Sequence, residues 1–230
     1  MKLSILMPVY NEERTVASAI KRVLDVDYPC EIELVVVNDG SQDETGAILD
    51  GVSDPRLIRH DHPVNRGKGA AIRTASTVAT GDFMIICDAD LEYAPEEIPG
   101  LLEPVRTAEA TVVFGTRTFG SHSSYSYWYV VGNRVITTAC NMLFNCYLTD
   151  LETCFKLMPL ALFRELDVRS PGFGMEAEVA AKLLKRGVRP FEVPVSYRAR
   201  RREEGKKITW KDGVAALWIL SRIRVRHRIS

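Results

Sequence analysis

The chain has 230 residues, 46% of them hydrophobic, and its 30 Lys+Arg balance its 30 Asp+Glu to a net charge of zero. This suits one packed α/β domain with at most a small appendage, and it excludes a disordered chain. The balanced charge argues for neither a nucleic-acid partner nor any other polyanion.

Residues 3–7 form a strand-like apolar run ending at Pro8, and residues 12–24 carry Val16, Ala19, Ile20, Val23 and Leu24 at helical spacing. A β-branched run follows at 33–37, then a short helix from about Gln42 that ends before Pro55, then a third strand at 56–59. Residues 67–79 predict a helix and 83–87 a buried strand. Beyond these come a strand at 111–115, helices at 127–145 and 175–185, the latter closed by Gly187, and a short strand at 191–193 before Pro194. Strands that are continuously apolar rather than alternating fit a parallel sheet covered by helices on both faces, a doubly wound α/β fold. The domain expected is 1–207, with 208–230 as a basic amphipathic C-terminal segment. Cys30, Cys87, Cys140, Cys146 and Cys154 are odd in number and lack a CxxC spacing, so they read as thiols of a reducing compartment. No signal-peptide pattern opens the sequence, and no run of about 18 apolar residues predicts a membrane span.

Ligands of open parallel sheets bind beyond the carboxyl ends of the strands. Pro8-Val9-Tyr10-Asn11-Glu12, Asn38-Asp39-Gly40-Ser41 and Asp88-Ala89-Asp90 each follow a predicted strand, and each brings a carboxylate to one sheet edge. Alternate residues of an extended segment face the same way, so Asp88 and Asp90 can share a hard divalent cation, Mg²⁺ or Mn²⁺, with Glu92 near enough to join. Such an ion would neutralise a diphosphate leaving group. A DxD tripeptide also occurs as a plain solvated turn, and its place after a buried strand is what favours the metal. Asp39 suits the N–H edge of a base or ribose hydroxyls. Asn65-Arg66-Gly67-Lys68-Gly69 places Lys68 at a helix start suited to diphosphate but lacks the spacing of a P-loop. His60-Asp61-His62 reads as a surface loop.

These motifs, with Gly115-Thr116-Arg117, Gly132-Asn133-Arg134, residues 150–155 and residues 200–207, resemble in order the dolichyl-phosphate mannosyl- and glucosyltransferase branch of glycosyltransferase family 2 over roughly residues 3–207. The resemblance implies a GT-A fold, a UDP- or GDP-hexose donor, a divalent cation and inversion at the anomeric carbon. It implies that Pro8, Tyr10, Glu12 and Asp39 bind the nucleoside, and that Asp88 and Asp90, with Ala89 between them, hold metal and diphosphate. Asn38 stands where many relatives have Asp, which leaves the nucleotide base open, while Thr153-Cys154-Phe155-Lys156 and Lys206-Lys207 depart from the mannosyltransferase pattern, which leaves the sugar open.

A polyprenyl phosphate acceptor arrives ionised and needs cations to hold it in line; Arg117, Arg134, Arg200 and Lys207 are the candidates. A soluble hydroxyl acceptor would need a carboxylate base, for which Asp150 or Glu152 could serve. A third reading is an inactive nucleotide-sugar-binding regulatory subunit, which intact Asp88, Asp90, Asp39 and Arg117 oppose. A lipid acceptor implies peripheral association with the cytoplasmic membrane face. The aromatic cluster Tyr125, Tyr127, Trp128, Tyr129 and the tail around Trp218, Arg222, Arg224 and Arg226 suit an interfacial surface. A homo-oligomer or a membrane partner subunit is left open.

Overall fold

The computed structural model describes residues 1–124, 126–172, 174–200 and 210–225, the side chain of Trp210 excepted. The expected Lys207, with Arg201, Arg202, Lys206, Tyr125 and Arg226, lies outside the described residues. Seven strands form one sheet in the order β3-β2-β1-β4-β6-β5-β7. They are β1 (Lys2–Val9), β2 (Glu31–Asn38), β3 (Leu57–Asp61), β4 (Phe83–Ile86), β5 (Val113–Thr116), β6 (Lys156–Pro159) and β7 (Phe191–Pro194). The helices are α1 (Val16–Asp25), α2 (Thr45–Asp50), α3 (Lys68–Val78), α4 (Ile98–Arg106), α5 (Tyr127–Phe144), α6 (Leu160–Glu165), α7 (Met175–Lys185) and α8 (Trp210–Val225).

The topology decides what meets at the functional edge. β1 pairs in parallel with β2 and β4, and β2 with β3, so the carboxyl ends Val9, Asn38 and Ile86 point the same way. β6 runs antiparallel to both β4 and β5. Its beginning, not its end, therefore lies at that edge, and the loop 149–155 enters the site just before it. β7 runs parallel to β5, which delivers residues 195–200 to the same edge. The core is the apolar run of β1, β2 and β4, all but sealed from water between α1, α3 and the later helices.

Three elements within residues 1–207 were not expected. β6 escapes notice because it opens with Lys156, a fully buried ammonium that donates to the carbonyls of Leu151 (2.8 Å) and Thr153 (2.7 Å) and lies over the Phe114 ring. α4 carries Pro99 and an interior Pro104, which read as breakers. α6 is only six residues long. α1 starts four residues later than expected, at Val16, because the segment before it is spoken for: Asn11 sits at φ 52°, its N–H reaches Ser41 Oγ, and the Glu12 N–H reaches Thr45 Oγ1. The C-terminal segment is not a free tail. α8 packs against α5 and α7, with Ala216 and Leu220 buried, while Trp218 and Val214 stay exposed.

Candidate active site

The strand ends enclose a cavity of about 310 Å³ lined by Pro8, Tyr10, Glu12, Asp39, Lys68 and the Asp88-Ala89-Asp90 segment, together with Glu92, Arg117 and Arg200. Of the residues expected at the site and described, Arg134 and Asp150 are the two outside this lining.

On the donor side, Asp39 is 2% exposed and already receives three hydrogen bonds. His62 Nδ1 lies 2.6 Å from its Oδ1, and the backbone N–H groups of Arg66 and Gly67 reach its two oxygens at 3.0 and 2.7 Å. His62 is thus no surface-loop residue: it is buried, and its Nε2 contacts Thr74 Oγ1 on α3. The signal that could have exposed it is position, since His62 directly follows a strand beside Asp39. Gly67, at φ 91°, opens α3 where any Cβ would collide with the Pro171 carbonyl, so the loops 65–69 and 170–172 close tightly on each other. Lys68 Nζ bridges Asp88 (2.7 Å) and Glu176 at the start of α7 (2.9 Å). Burial works against this ammonium, but the two carboxylates outweigh it and raise its pKa well above the ordinary range.

The Asp88-Ala89-Asp90 segment is not extended throughout: Ala89 and Asp90 enter a turn that leads to Leu91 at φ 61°. Both carboxyls nonetheless line the cavity. Burial, then the charges of Asp88 and Glu92, push Asp90 up to about 7. Glu92, expected as a third metal carboxylate, is engaged elsewhere: Oε2 accepts the Tyr197 hydroxyl (2.6 Å) and Oε1 the Arg200 N–H (2.8 Å). Among the described residues no three His, Cys, Asp or Glu side chains converge as a ready-made metal site. Arg200, expected at an acceptor phosphate, spans the cavity instead. It donates to the Asp90 carbonyl (2.7 Å), Glu12 Oε2 (2.8 Å) and Thr15 Oγ1 (3.1 Å).

On the other side, Arg117 follows β5 and grips Asp150 through Nε (2.6 Å) and Nη2 (2.7 Å), while its own N–H reaches Oδ2 at 3.1 Å. Asn133 Nδ2 adds a fourth bond at 2.9 Å. Glu192 on β7 fixes the loop by accepting the N–H groups of Thr149 and Asp150. Burial would raise Asp150, but the Arg117 charge outweighs it and holds the carboxyl below its usual range. The Arg117 guanidinium also lies over the Tyr197 ring, 5.0 Å from its centre. Arg134, by contrast, is exposed on α5; its neighbour Asn133 is the one that reaches the Asp150 network. The five cysteines are all free thiols, with Cys87, Cys140 and Cys154 buried.

The geometry therefore gathers carboxylates and clamped cations around a cleft at one sheet edge, a place for a polar, hydrogen-bonding ligand. The comparisons with known proteins agree. Curated relatives include a bactoprenol glucosyl transferase of Shigella phage SfX, 38% identical over 107 residues, 45% of this chain and 35% of that protein. Glycosyltransferase AglD of Haloferax volcanii is 28% identical over 206 residues, 86% of this chain and 33% of that protein. An undecaprenyl-phosphate 4-deoxy-4-formamido-L-arabinose transferase of Proteus mirabilis is 36% identical over 130 residues, 54% of this chain and 39% of that protein. The chain thus spans between 33% and 39% of the length of these relatives. Glucosyl-3-phosphoglycerate synthase of Mycobacterium tuberculosis, solved with UDP, superposes with a TM-score of 0.72 at 22% identity over 99% of this chain and 82% of that one. That likeness bears out the GT-A fold. A model of Glycosyl transferase family 2 matches residues 4–167, more than two thirds of the sequence, and the chain belongs to that family.

Proposed function

We propose that this chain is an inverting hexosyltransferase that moves a sugar from a UDP- or GDP-linked donor to a polyprenyl phosphate at the cytoplasmic membrane face. The observation that carries the reading is the Arg117–Asp150 clamp. Asp150 is saturated by four hydrogen bonds and is not available as a base. Glu152, the other base candidate, is pushed up to about 8 by burial first and by the Glu176 charge second, so at neutral pH it already holds a proton. With Asp150 clamped and Glu152 protonated, neither base candidate is free, which suits an acceptor that arrives ionised. The names of two relatives, a bactoprenol and an undecaprenyl-phosphate transferase, support the same acceptor.

In this reading Pro8, Tyr10, Glu12 and Asp39 hold the nucleoside, Asp39 kept in place by His62. Lys68 and the Asp88-Ala89-Asp90 segment face the diphosphate. Arg117, oriented by Asp150, holds the acceptor phosphate in line with the anomeric carbon, with the exposed Arg134 as an outer cation that guides it in. Asp88 and Asp90 fit a hard divalent cation: the donors are oxygens, both line the cavity, and Asp90 is raised by burial first and by the neighbouring Asp88 and Glu92 charges second, a cost that a bound cation would relieve. Mg²⁺ or Mn²⁺ bound there would neutralise the departing diphosphate; the Mycobacterium tuberculosis enzyme has been solved with Mn²⁺ and UDP.

No described helix is long and apolar enough to cross a membrane. The packed pair α5 and α8 instead exposes Tyr127, Trp128 (77% exposed) and Trp218 (59%), with Arg222 stacked on the Trp218 ring, a surface suited to lying on anionic headgroups. The test is transfer of radiolabelled hexose from UDP- and GDP-sugars to a short polyprenyl phosphate with Mn²⁺. The expected product is a lipid-phosphate-linked sugar. Label reaching only hydroxyl acceptors would overturn the reading.

A further inference from the structure

Two residues that line the cavity each carry a buried carboxyl oxygen with no hydrogen-bond partner: Glu152 Oε1 and Glu176 Oε2. Roughly nine in ten buried polar groups are paired in folded proteins, so two orphans on residues that line one cavity point to an occupant that donates hydrogen bonds. Both are held where they are. Glu176 is 3% exposed, and its other oxygen is fixed by Lys68, which also grips Asp88; the orphan oxygen is thereby tied to the diphosphate side of the site. Glu152 sits between Leu151 and Thr153, whose carbonyls both accept from the buried Lys156 ammonium, so the backbone is pinned on either side of it.

The chemistry of the pair selects its ligand. A diphosphate is an anion that two carboxyls repel, and a nucleobase offers few donors. A hexose is neutral and carries several hydroxyls at fixed angles. The proton that Glu152 holds near neutrality lets it both accept from and donate to such a group.

We propose that Glu152, together with Glu176, seats the hexose of the donor, and that Glu152 determines which hexose is accepted. This rests on the reading of the chain as a nucleotide-sugar transferase. A site built to hydrogen-bond a hydroxyl rejects a sugar lacking it or presenting it at the wrong angle, because its own polar groups are then left unpaired.

The experiment measures kcat/KM of wild type, Glu152→Gln and Glu152→Ala with UDP-glucose, UDP-galactose and GDP-mannose, beside the Kd for UDP by calorimetry. In Glu152→Ala the preference for the best donor over its epimer should fall about tenfold, with Glu152→Gln intermediate because an amide still donates and accepts. UDP should bind all three proteins within about twofold, which also shows that the variants are folded. An unchanged preference overturns the inference. So does a parallel loss of UDP affinity, which would make Glu152 a structural residue. A wild type that turns over none of the three donors overturns the transferase reading and this one together.

Discussion

If Asp150 acts only by orienting Arg117, removing its charge should cripple transfer without removing a titrating base. The carboxylate is 1% exposed and is bound by Arg117 at 2.6 and 2.7 Å, so Asp150→Asn leaves a buried guanidinium facing an amide. Breaking one side of such a pair costs about 3–5 kcal/mol, distributed between stability and the orientation of the survivor. Loss of the Arg117 contact itself, in Arg117→Ala, should remove about 2–4 kcal/mol of transition-state stabilisation, a rate loss of roughly 30- to 1,000-fold. Single-turnover transfer to polyprenyl phosphate is the assay, for Arg117→Ala, Asp150→Asn and the double variant. Since one residue works through the other, the double variant should be no slower than Arg117→Ala alone. The acidic limb of the pH–rate profile should also survive in Asp150→Asn, because the wild-type carboxylate is ionised well below neutrality. Multiplicative losses in the double variant, with disappearance of that limb, would show Asp150 to be a general base and refute the phosphate-acceptor mechanism.

Cation binding should depend on pH through Asp90, which lies near 7: apparent Mn²⁺ affinity should rise from pH 6 to 8 and level off above, and Asp90→Asn should abolish both the rise and transfer. A flat Mn²⁺ titration in wild type would refute this. The protein should sediment with anionic vesicles and release at high salt, where charge attraction is screened within a few ångström, and Trp128→Ala or Trp218→Ala should weaken binding; retention that ignores salt would contradict it. Far from the site, burial alone would raise Glu33, but hydrogen bonds from Lys2, Ser4 and Thr80 hold it at about 2, below its ordinary 4.5. A depressed carboxyl stabilises the fold above its unfolded pKa and loses that contribution as pH falls through its folded value. Glu33→Gln should therefore cost of order 2 kcal/mol at pH 7 and almost nothing near pH 2, measured by urea unfolding.

The parts legible in the sequence are those where one physical rule acts alone. Residues 33–37 and 83–87 read as strands because both faces are buried and, after Glu33, nothing polar interrupts them, and α7 is found at its observed bounds because its period is clean and Gly187 follows it. The misses come where tertiary contacts override local preference. Lys156 opens a core strand because two carbonyls and a phenyl ring solvate its ammonium, which no window of sequence reveals. Residues 12–15 have helical spacing, yet their backbone is bound to the 41–45 loop. At the site, the residue types and the sheet edge were readable, but not the pairing. Glu92 and Arg200 look like a ligand and a free cation, and only the fold shows them bound to Tyr197, Glu12 and each other.

That pairing changes the case for a metal. From the sequence, a cation is argued from the spacing of Asp88 and Asp90. In the structure the stronger ground is charge. Seven carboxyls, of Glu12, Asp39, Asp88, Asp90, Glu92, Glu152 and Glu176, line the cavity against three cations, Lys68, Arg117 and Arg200. Each of the three already faces a carboxylate. Even with Asp90 and Glu152 protonated, the lining stays negative, and a diphosphate entering it gains no unspent positive charge. Lys68 cannot turn to the donor without abandoning Asp88 and Glu176, and Arg200 cannot without freeing Glu12. In the proposed reading, a divalent cation arriving with the donor would offset that excess negative charge while every ion pair stays intact, and so let this lining admit an anion.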